Sequence, residues 1–318
     1  MVPWVRQYKT RTVSAGLGKA LRSLGLDVIE DQSLMRSPGP NRCGLICVGL
    51  YAIIARHGIV LFLQPRKVGM TGNHHYRDVQ ALLASYPRRR PPLTAAHEKV
   101  YVEEYRRNRL ATTGLCAVVG RLETWMHRTL AEGRPVSRVL ELGAGPLNHL
   151  PYEPSTDVYD AIEPFSELWQ DSPLRSRTRK IFADIAEVPV EEKYDKIVAV
   201  AVLEHLTDLP AVVASCALHL GENGHLGISI PSDGLFWHLG WRCVTGVAYW
   251  MRTGLDYAVV MRHEHVNNEA EILAILRYFF AEIRVKRFPL PLKHLSFYTA
   301  VDAARPEINR CIEFAYAR

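Results

Sequence analysis

A glycine turn and a nearby acid are the residues of this chain whose types and spacing could bind a nucleoside. Gly143 and Gly145 follow an apolar run at 138–142, and Glu163 ends a second apolar run at 159–162. Glycine has no Cβ, so such a turn can bend sharply and let the backbone lie against a ligand. An acid at the carboxyl end of the next strand can accept hydrogen bonds from both hydroxyls of a ribose. Strand, glycine turn, strand and acid is the pattern of a nucleoside site in an open α/β sheet.

The residues around the turn favour a cationic nucleoside over a dinucleotide. A dinucleotide fingerprint needs G-x-G-x-x-G, and here Asn148 occupies the third glycine position. Pro146, Pro151 and Pro154 discourage a long helix directly after the turn. Glu141 precedes the glycines, where a carboxylate would repel a pyrophosphate but would suit a ligand with a positively charged amino group.

The segments that must position this turn alternate between strand-like and helix-like patterns. Strands are predicted at 181–185, 196–200 and 225–233, and helices at 166–170, 210–220 (stopped by Gly221) and 269–280. Two amphipathic helices, one capped by Thr94 and one at about 115–131, precede the first strand, and 281–290 with 295–305 form a closing antiparallel pair. The fold class is therefore α/β: a Rossmann-like, doubly wound, seven-stranded sheet with a helical N-terminal cover and a C-terminal antiparallel strand pair.

Composition is ordinary for a globular protein that is made in a reducing compartment. Of the 318 residues 48% are hydrophobic and 23% are charged, and the six cysteines form no CxxC pair. The first residues lack a leading apolar core, so we expect no signal peptide and a cytoplasmic protein. The apolar span Gly44–Leu63 is long enough to cross a bilayer, but Arg56 and His57 lie past its middle and disfavour that reading.

Charge divides the chain into a basic N-terminal part and a slightly acidic remainder. Residues 1–91 hold 14 Lys/Arg against 4 Asp/Glu, and the rest holds 25 against 29. The acidic balance of the main domain argues against nucleic acid as a partner. Contact of the basic N-terminal segment with a membrane is possible but not favoured.

Three regions are expected along the chain. Residues 1–70 form an N-terminal extension with a helix at 15–24, a strand at 26–30, a helix at 45–55 and a strand at 59–63. This pattern resembles the closing part of a preceding Rossmann-like domain, and an extension packed on the main domain is the alternative. Residues 71–93, which include Arg88, Arg89 and Arg90, are read as a solvated linker, and 94–318 as the main domain.

Several motifs in order resemble those of class I S-adenosylmethionine (SAM)-dependent methyltransferases. They are ELGAG at 141–145, Glu163, ADI at 183–185, YDKIVAVAVLEHL at 194–206 and ENGHLGISIPS at 222–232. The resemblance covers roughly residues 95–305 and implies an enzyme whose cofactor is SAM. The fragments LNHLPYEP, LEHLTDLP and GLDYAVVMRHEHVNN further resemble small-molecule methyltransferases associated with bacterial surface polysaccharides.

The resemblance assigns cofactor-binding roles to particular residues. Glu141 and the turn Gly143-Ala144-Gly145 would hold the methionine end of SAM, and Glu163 would accept both ribose hydroxyls. Asp184 would accept the adenine amino group, while Ile185 would donate its backbone N–H to the ring. Leu203, with the two residues after it, would form a wall near the sulfonium.

A hydroxyl acceptor benefits from a base, for which histidine is the usual residue. His205 and His265 are the two candidates, with His263 and Glu264 orienting nearby. The insert 233–268 is rich in aromatic residues, of which Trp237 and Tyr257 could stack on an acceptor, and His263 is also expected to contact it. A hydrophobic lid or a dimer contact is an equal alternative for this insert.

The function predicted is transfer of a methyl group from SAM to a hydroxyl of a sugar, glycan or other small acceptor. Transfer to a nitrogen or to a phenol or quinone, and a SAM-binding scaffold without turnover, are the alternatives. A nucleotide-sugar oxidoreductase is disfavoured by Asn148 and by the lack of a Tyr-x-x-x-Lys pair. The E-x-x-E-H pattern that binds a divalent ion in some relatives is broken at Ala201, so no required metal is predicted. The acceptor atom and the oligomeric state stay open.

Overall fold

A computed structural model describes residues 26–27, 52–55, 58–61, 73–101, 116–133, 136–153 and 156–316. The N-terminal part contains strands β1 Leu26–Asp27, β2 Ala52–Ala55 and β3 Gly58–Leu61, paired antiparallel in that order. The helix predicted at 45–55 is therefore wrong at its end, because 52–55 pairs as a strand on both sides. The helix predicted at 15–24 lies outside the described residues. No described helix has the length and apolar character needed to cross a bilayer.

The main domain is built on a seven-stranded sheet, as predicted. Its strands are β4 Arg138–Leu142, β5 Val158–Ile162, β6 Lys180–Phe182, β7 Tyr194–Val200, β8 Leu220–Pro231, β9 Phe280–Pro289 and β10 Ser296–Pro306. The spatial order is β6-β5-β4-β7-β8-β10-β9, parallel from β6 to β8, with β10 antiparallel to both β8 and β9. The chain winds outward from β4 in one direction and then from β7 in the other. A crevice therefore opens at the carboxyl ends of β4 and β7.

Ten α-helices accompany the strands in the described residues. They are α1 Asn73–Ala84, α2 95–101, α3 Cys116–Ala131, α4 Ser166–Trp169, α5 Leu209–His219, α6 Leu235–Gly240, α7 Val247–Thr253, α8 Tyr257–Glu264, α9 Glu269–Phe279 and α10 Ile308–Tyr316. A π-helical turn, Trp241–Gly246, joins α6 to α7. The prediction that Gly221 stops α5 is wrong, because the helix ends at His219 and Leu220 already pairs with Tyr194 as the first residue of β8. Helix α10 was not predicted.

Strand β4 shows why both faces of the sheet are covered. Leu140 and Leu142 pack into the larger core cluster, while Val139 lies in a second cluster with Leu130 of α3. Successive strand residues point to opposite faces, so a strand with apolar residues on both faces needs helices on both sides. This burial fixes the position of the glycine turn that follows β4.

The reading of 71–93 as a solvated linker is wrong in the described residues. Helix α1 occupies 73–84, and Leu83 and Tyr86 are each 5% exposed within the larger core cluster. Arg88 and Arg90 are partly buried and donate hydrogen bonds to the main domain, whereas Arg89 is exposed. The division of the chain into 1–70 and 94–318 stays a prediction.

Candidate functional site

The turn after β4 requires glycine at its first position. Gly143 has φ +67° and Gly145 has φ +51°, both in the left-handed region. A Cβ on Gly143 would lie only 2.5 Å from Val202 Cγ2. The Gly143 and Ala144 N–H groups both donate to the Ile162 carbonyl, at 2.8 and 3.2 Å. The turn is therefore held against β5 on one side and against Val202, at the end of β7, on the other.

Glu163 lies at the carboxyl end of β5, where the sequence placed it. Its Oε2 accepts the Gly145 N–H at 2.8 Å, and its Oε1 accepts the Phe165 N–H at 3.1 Å. The side chain is buried, so these two bonds fix the carboxylate against the glycine turn. A carboxylate offers about four acceptor positions, which suits it to bind hydroxyl groups.

Glu141 has a different environment from the one the sequence suggested. Its carboxyl group is buried and accepts a hydrogen bond from the Tyr159 hydroxyl at 2.7 Å. Burial raises the pKa of Glu141 to about 8, and the nearby charge of Glu163 adds to that shift. Burial therefore disfavours the ionised form of this carboxyl group. The assignment of Glu141 to the methionine end of SAM stays a prediction.

A buried polar network supports the segment after the turn. The Lys196 ammonium donates to Glu153, which also pairs with His149 Nε2 at 3.1 Å. Burial would raise the pKa of Glu153, but its bonds to His149 and the charge of Lys196 lower it. His127 stacks on Tyr152 at 5.0 Å and bonds to His149 at 3.1 Å. The segment thus adopts its own shape, with a short 3₁₀ turn at Leu150–Tyr152 in place of a long helix, as the prolines predicted.

Asp184 follows β6 instead of lying within it, because the strand ends at Phe182. Its side chain caps the 3₁₀ turn Ile185–Glu187 by accepting the Ala186 N–H at 2.9 Å. Burial raises the pKa of Asp184. Ile185 is buried. The contact of these two residues with an adenine ring stays a prediction.

A 3₁₀ turn, Leu203–His205, follows β7 and Val202, and Asn267 anchors it. The Asn267 side-chain amide donates to the carbonyls of Leu203 and Leu206, at 2.8 and 2.7 Å. The Tyr86 hydroxyl donates to Asn267 Oδ1 at 2.7 Å. The Val266 and Asn267 N–H groups both donate to the Glu204 carbonyl. The segment 265–267 is therefore hydrogen-bonded to three successive parts of this turn region, at Leu203, Glu204 and Leu206.

Two arginines of the supposed linker hold the same segments together. Arg90 donates to the carbonyls of His205, His263 and Glu264, at 2.7, 2.9 and 3.0 Å. Arg88 donates to the Val266 carbonyl at 2.6 Å and forms a two-pronged ion pair with Glu271. A rigid guanidinium fork suits such multiple acceptors. Neither role was visible in the sequence, where RRR reads as a solvated run.

The structure brings the two candidate bases together. The rings of His205 and His265 are 4.8 Å apart and edge-on, with an interplanar angle of 84°. His205 Nδ1 lies 3.0 Å from the Glu264 carbonyl, which can only accept, so the tautomer with a proton on Nδ1 fits. In that tautomer Nε2 carries the lone pair that can accept a proton, and it lies 4.0 Å from Glu204 Oε1. Burial raises the pKa of Glu264 to about 7, and Arg90 opposes that shift.

His265 is a neutral imidazole beside a tryptophan. Burial, together with the smaller effect of the Arg90 charge, lowers its pKa to about 4. Its ring stacks with Trp237 at 6.3 Å and 24°, and Trp237 lies 5.4 Å from Tyr298. Tyr298 is a residue that the sequence did not single out. A cavity of about 530 Å³ is lined by His265, by Val266 and by the segment that contains Arg88.

Two residues predicted to contact the acceptor have other partners. His263 Nδ1 donates to the Pro91 carbonyl at 2.7 Å, and the ring packs edge-on against Tyr101 at 5.4 Å. Tyr257 packs against Tyr249 and Trp241, at 5.1 and 6.1 Å. Both belong to the packing of the insert on the preceding segment, and their roles as acceptor contacts stay predictions.

Three groups near the turn could together hold a metal ion. Side-chain donor atoms of Glu204, His205 and His265 lie within 4.8 Å of one another. Neutral imidazole and carboxylate are ligands that divalent transition metals accept. The chemistry of this donor set fits such an ion without the acid that Ala201 replaces. The prediction that no metal is required stays untested.

Comparison with known proteins agrees with this geometry. The sequence model of a family described as "Methyltransferase domain" matches residues 105–302. No curated protein matches the chain.

Many solved structures match the chain, at low sequence identity. One is the N-methyltransferase NodS from Bradyrhizobium japonicum WM9 in complex with S-adenosyl-L-homocysteine, with 16% identity over 74% of this chain and 100% of that one, and a TM-score of 0.41. A second is a possible histamine N-methyltransferase from Thermotoga maritima, with 14% identity over 66% and 98%, and a TM-score of 0.44. A third is an O-methyltransferase family protein from Burkholderia thailandensis, with 15% identity over 73% and 70%, and a TM-score of 0.45.

Proposed function

We propose, because this chain belongs to the methyltransferase-domain family of class I SAM-dependent enzymes, that it moves a methyl group from SAM to a hydroxyl of a sugar, glycan or other small acceptor. The observation that carries the choice of a hydroxyl is the pair of imidazoles formed by His205, on the turn after Val202, and His265, on the segment that is hydrogen-bonded to that turn. Val202 joins the two, since it contacts the position of a Gly143 Cβ and directly precedes Leu203.

The glycine turn and the two acids fit the cofactor. A side chain on Gly143 would collide with Val202, so glycine at this position lets the turn pack closely against the residues that follow β7. Glu163 would hold the ribose hydroxyls, and Asp184 with the Ile185 N–H would hold the adenine. When bound, SAM supplies a methyl group that its sulfonium has already activated. The remaining work of the protein is to align the acceptor, which can provide most of the rate enhancement.

The proton of the acceptor hydroxyl needs a destination as the new O–C bond forms. His205 Nε2 is suited to receive it, since its Nδ1 proton is engaged by the Glu264 carbonyl. His265 is the second candidate, because its imidazole lies against that of His205, but its lowered pKa makes it the weaker base of the two. Trp237, stacked on His265, presents an aromatic face that suits a sugar ring or a flat aglycone.

Two alternatives use the same cofactor. A nitrogen, phenol or quinone-derived acceptor would need less help from a base, because its nucleophile is more easily deprotonated or already carries a lone pair. A SAM-binding scaffold would keep the glycine turn and Glu163 without turnover.

Calorimetry with S-adenosyl-L-homocysteine tests the cofactor site first. We expect Glu163→Ala to weaken binding at least about tenfold, because it removes a charged acceptor, worth about 1.5–3 kcal/mol for each hydrogen bond. Glu167→Ala, an exposed acid in α4, is the matched control and should bind normally. Unchanged affinity in the Glu163 variant would remove the proposed cofactor site.

Transfer of labelled methyl groups to a panel of glycans, amines and phenols tests the reaction. With a glycan or other hydroxylated acceptor, His205→Ala or His265→Ala should lower kcat by about 10²–10⁴ while cofactor affinity stays nearly constant. If both variants keep near-native turnover, neither histidine is the base. Cofactor binding with no transfer to any class of acceptor would favour the scaffold.

A further inference from the structure

The helical insert between β8 and α8 exposes a continuous apolar face. Six large apolar side chains point outward at helical spacing, with exposed fractions of 53% for Leu235, 50% for Leu239, 41% for Val244, 48% for Val247, 61% for Trp250 and 74% for Met251. We call these six residues the insert face. Only four other large apolar residues are comparably exposed in the part of the chain that the structure describes. Such a concentration on one helical run marks an interaction surface.

The π-helical turn keeps the insert face on one side of the run. Helix α6, the turn Trp241–Gly246 and α7 follow one another without a break. On the opposite side Tyr249 is 1% exposed and packs against Tyr257. The wide turn adds backbone between the two helices, so Leu235 and Leu239 stay aligned with the later members of the face.

A neighbouring loop extends this surface. A Cβ on Gly234 would lie 2.0 Å from the Lys293 carbonyl oxygen, so the start of α6 packs directly against the loop between β9 and β10. Leu290 and Leu292 of that loop are 45% and 60% exposed. The apolar surface therefore continues past Leu235 onto a second segment.

The charges along the run are of one sign. Residues 235–253 contain Arg242 and Arg252 and no Asp or Glu. Both arginines are exposed. An apolar face flanked by arginine and containing an outward tryptophan is the arrangement of helices that lie in the headgroup region of an anionic bilayer.

A second copy of the chain fits this face less well. A symmetric dimer through it would bring the same arginines from both helices to one interface, with no carboxylate on either run to compensate them. Anionic lipid headgroups supply that missing negative charge.

The insert face is also continuous with the candidate site. Trp237, on the inner side of α6, stacks on His265. A membrane that holds α6 would therefore lie close to one of the two candidate bases.

We propose that the insert face docks the protein onto an anionic lipid surface, with α6 and α7 lying in the headgroup layer, so that the acceptor is a lipid-borne molecule. The lipid-borne acceptor rests on the proposed function, whereas the docking itself does not. This docking uses the insert and not the basic N-terminal segment, and it needs no membrane-spanning helix.

Flotation of the full chain with vesicles tests the docking. The chain should float with phosphatidylcholine vesicles that contain about a quarter phosphatidylglycerol and much less with pure phosphatidylcholine, because each arginine near an anionic surface adds about fivefold to binding. Leu239→Ser with Met251→Ser should lower binding at least about tenfold. Val285→Ser with Ile308→Ser, exposed elsewhere at 37% and 41%, is the matched control and should float like the parent. Arg242→Gln with Arg252→Gln should remove the preference for anionic vesicles.

The outcomes separate the alternatives. Circular dichroism shows whether the serine variant is folded, and flotation without cofactor or acceptor keeps this test independent of the proposed function. Failure of the parent to float would overturn the docking. A concentration-dependent dimer in sedimentation velocity, lost in the serine variant while neither protein floats, would assign the face to a second copy instead.

Discussion

Arg90 donates a 2.7 Å hydrogen bond from Nη2 to the backbone carbonyl of His205, across 115 residues of sequence. The same guanidinium reaches the carbonyls of His263 and Glu264, so one side chain joins the turn after β7 to the segment before α9. The relative position of the two candidate bases therefore depends on an arginine from the segment that precedes the sheet.

Loss of this arginine should cost both stability and alignment. Arg90→Ala removes one donor from each of three partly buried carbonyls, so we expect the free energy of unfolding to fall by about 2–4 kcal/mol. Arg89→Ala changes an exposed neighbour and should alter it by no more than about 0.5 kcal/mol. Urea denaturation of both variants makes the comparison. Equal effects of the two substitutions would mean that the hydrogen bonds from Arg90 make no particular contribution to stability.

The first glycine of the turn should resist substitution for two separable reasons. Gly143→Ala places a Cβ in contact with Val202 and also forces a left-handed backbone on alanine. Gly254→Ala has nearly the same φ, +70° against +67°, but nothing within 4 Å of the new Cβ, so it measures the backbone cost alone, about 1–2 kcal/mol. We expect Gly143→Ala to cost clearly more and to abolish binding of S-adenosyl-L-homocysteine. In the Gly143→Ala variant, the additional substitution Val202→Ala should relieve the collision and restore part of the stability. The cost of a left-handed backbone at alanine should remain. Similar losses in the two single variants would show that the contact with Val202 is unimportant.

The pKa of His265 predicts a stability that depends on pH. Its folded value of about 4 lies below the ordinary 6.5, so between these values the unfolded chain binds the proton and the folded chain does not. Stability from this group is full above pH 6.5 and falls as the pH drops to 4, by about 3 kcal/mol. Over the same pH range, the stability of the His265→Gln variant should fall by about 3 kcal/mol less than that of the parent. The exposed His294→Gln should follow the parent, and denaturation at a series of pH values decides. If the His265 variant keeps the full pH dependence of stability seen in the parent, the dependence comes from another group, for example the buried His127.

Removal of metal ions should leave turnover unchanged. The cluster of Glu204, His205 and His265 has suitable donors, but these histidines are also the candidate bases, and a bound ion would occupy the nitrogen that accepts the proton. Dialysis against a chelator, followed by assay with and without added Mg²⁺, Mn²⁺ and Zn²⁺, measures this directly. Activity that disappears on dialysis and returns with one ion would make the cluster a metal site.

Local sequence patterns predicted much of the architecture. The seven strands, the closing antiparallel pair and the place of Gly143, Gly145 and Glu163 follow from short-range rules: a period of two, a need for positive φ, and an acid at a strand end. Boundaries were less accurate, as at Leu220, because a strand pairing with Tyr194 outweighs the tendency of Gly221 to end a helix.

The sheet, the glycine turn and the family can therefore be predicted from the sequence, since each rests on residues close together in the chain. Long-range packing, in contrast, is what gives Arg88 and Arg90 their hydrogen bonds while Arg89 stays exposed, makes Asn267 anchor the turn at Leu203, and brings the two histidines together. It also decided that burial favours a neutral Glu141 and that one side of the insert is left uncovered. These properties depend on which distant segments are packed together and how much water they exclude, and no local pattern encodes either.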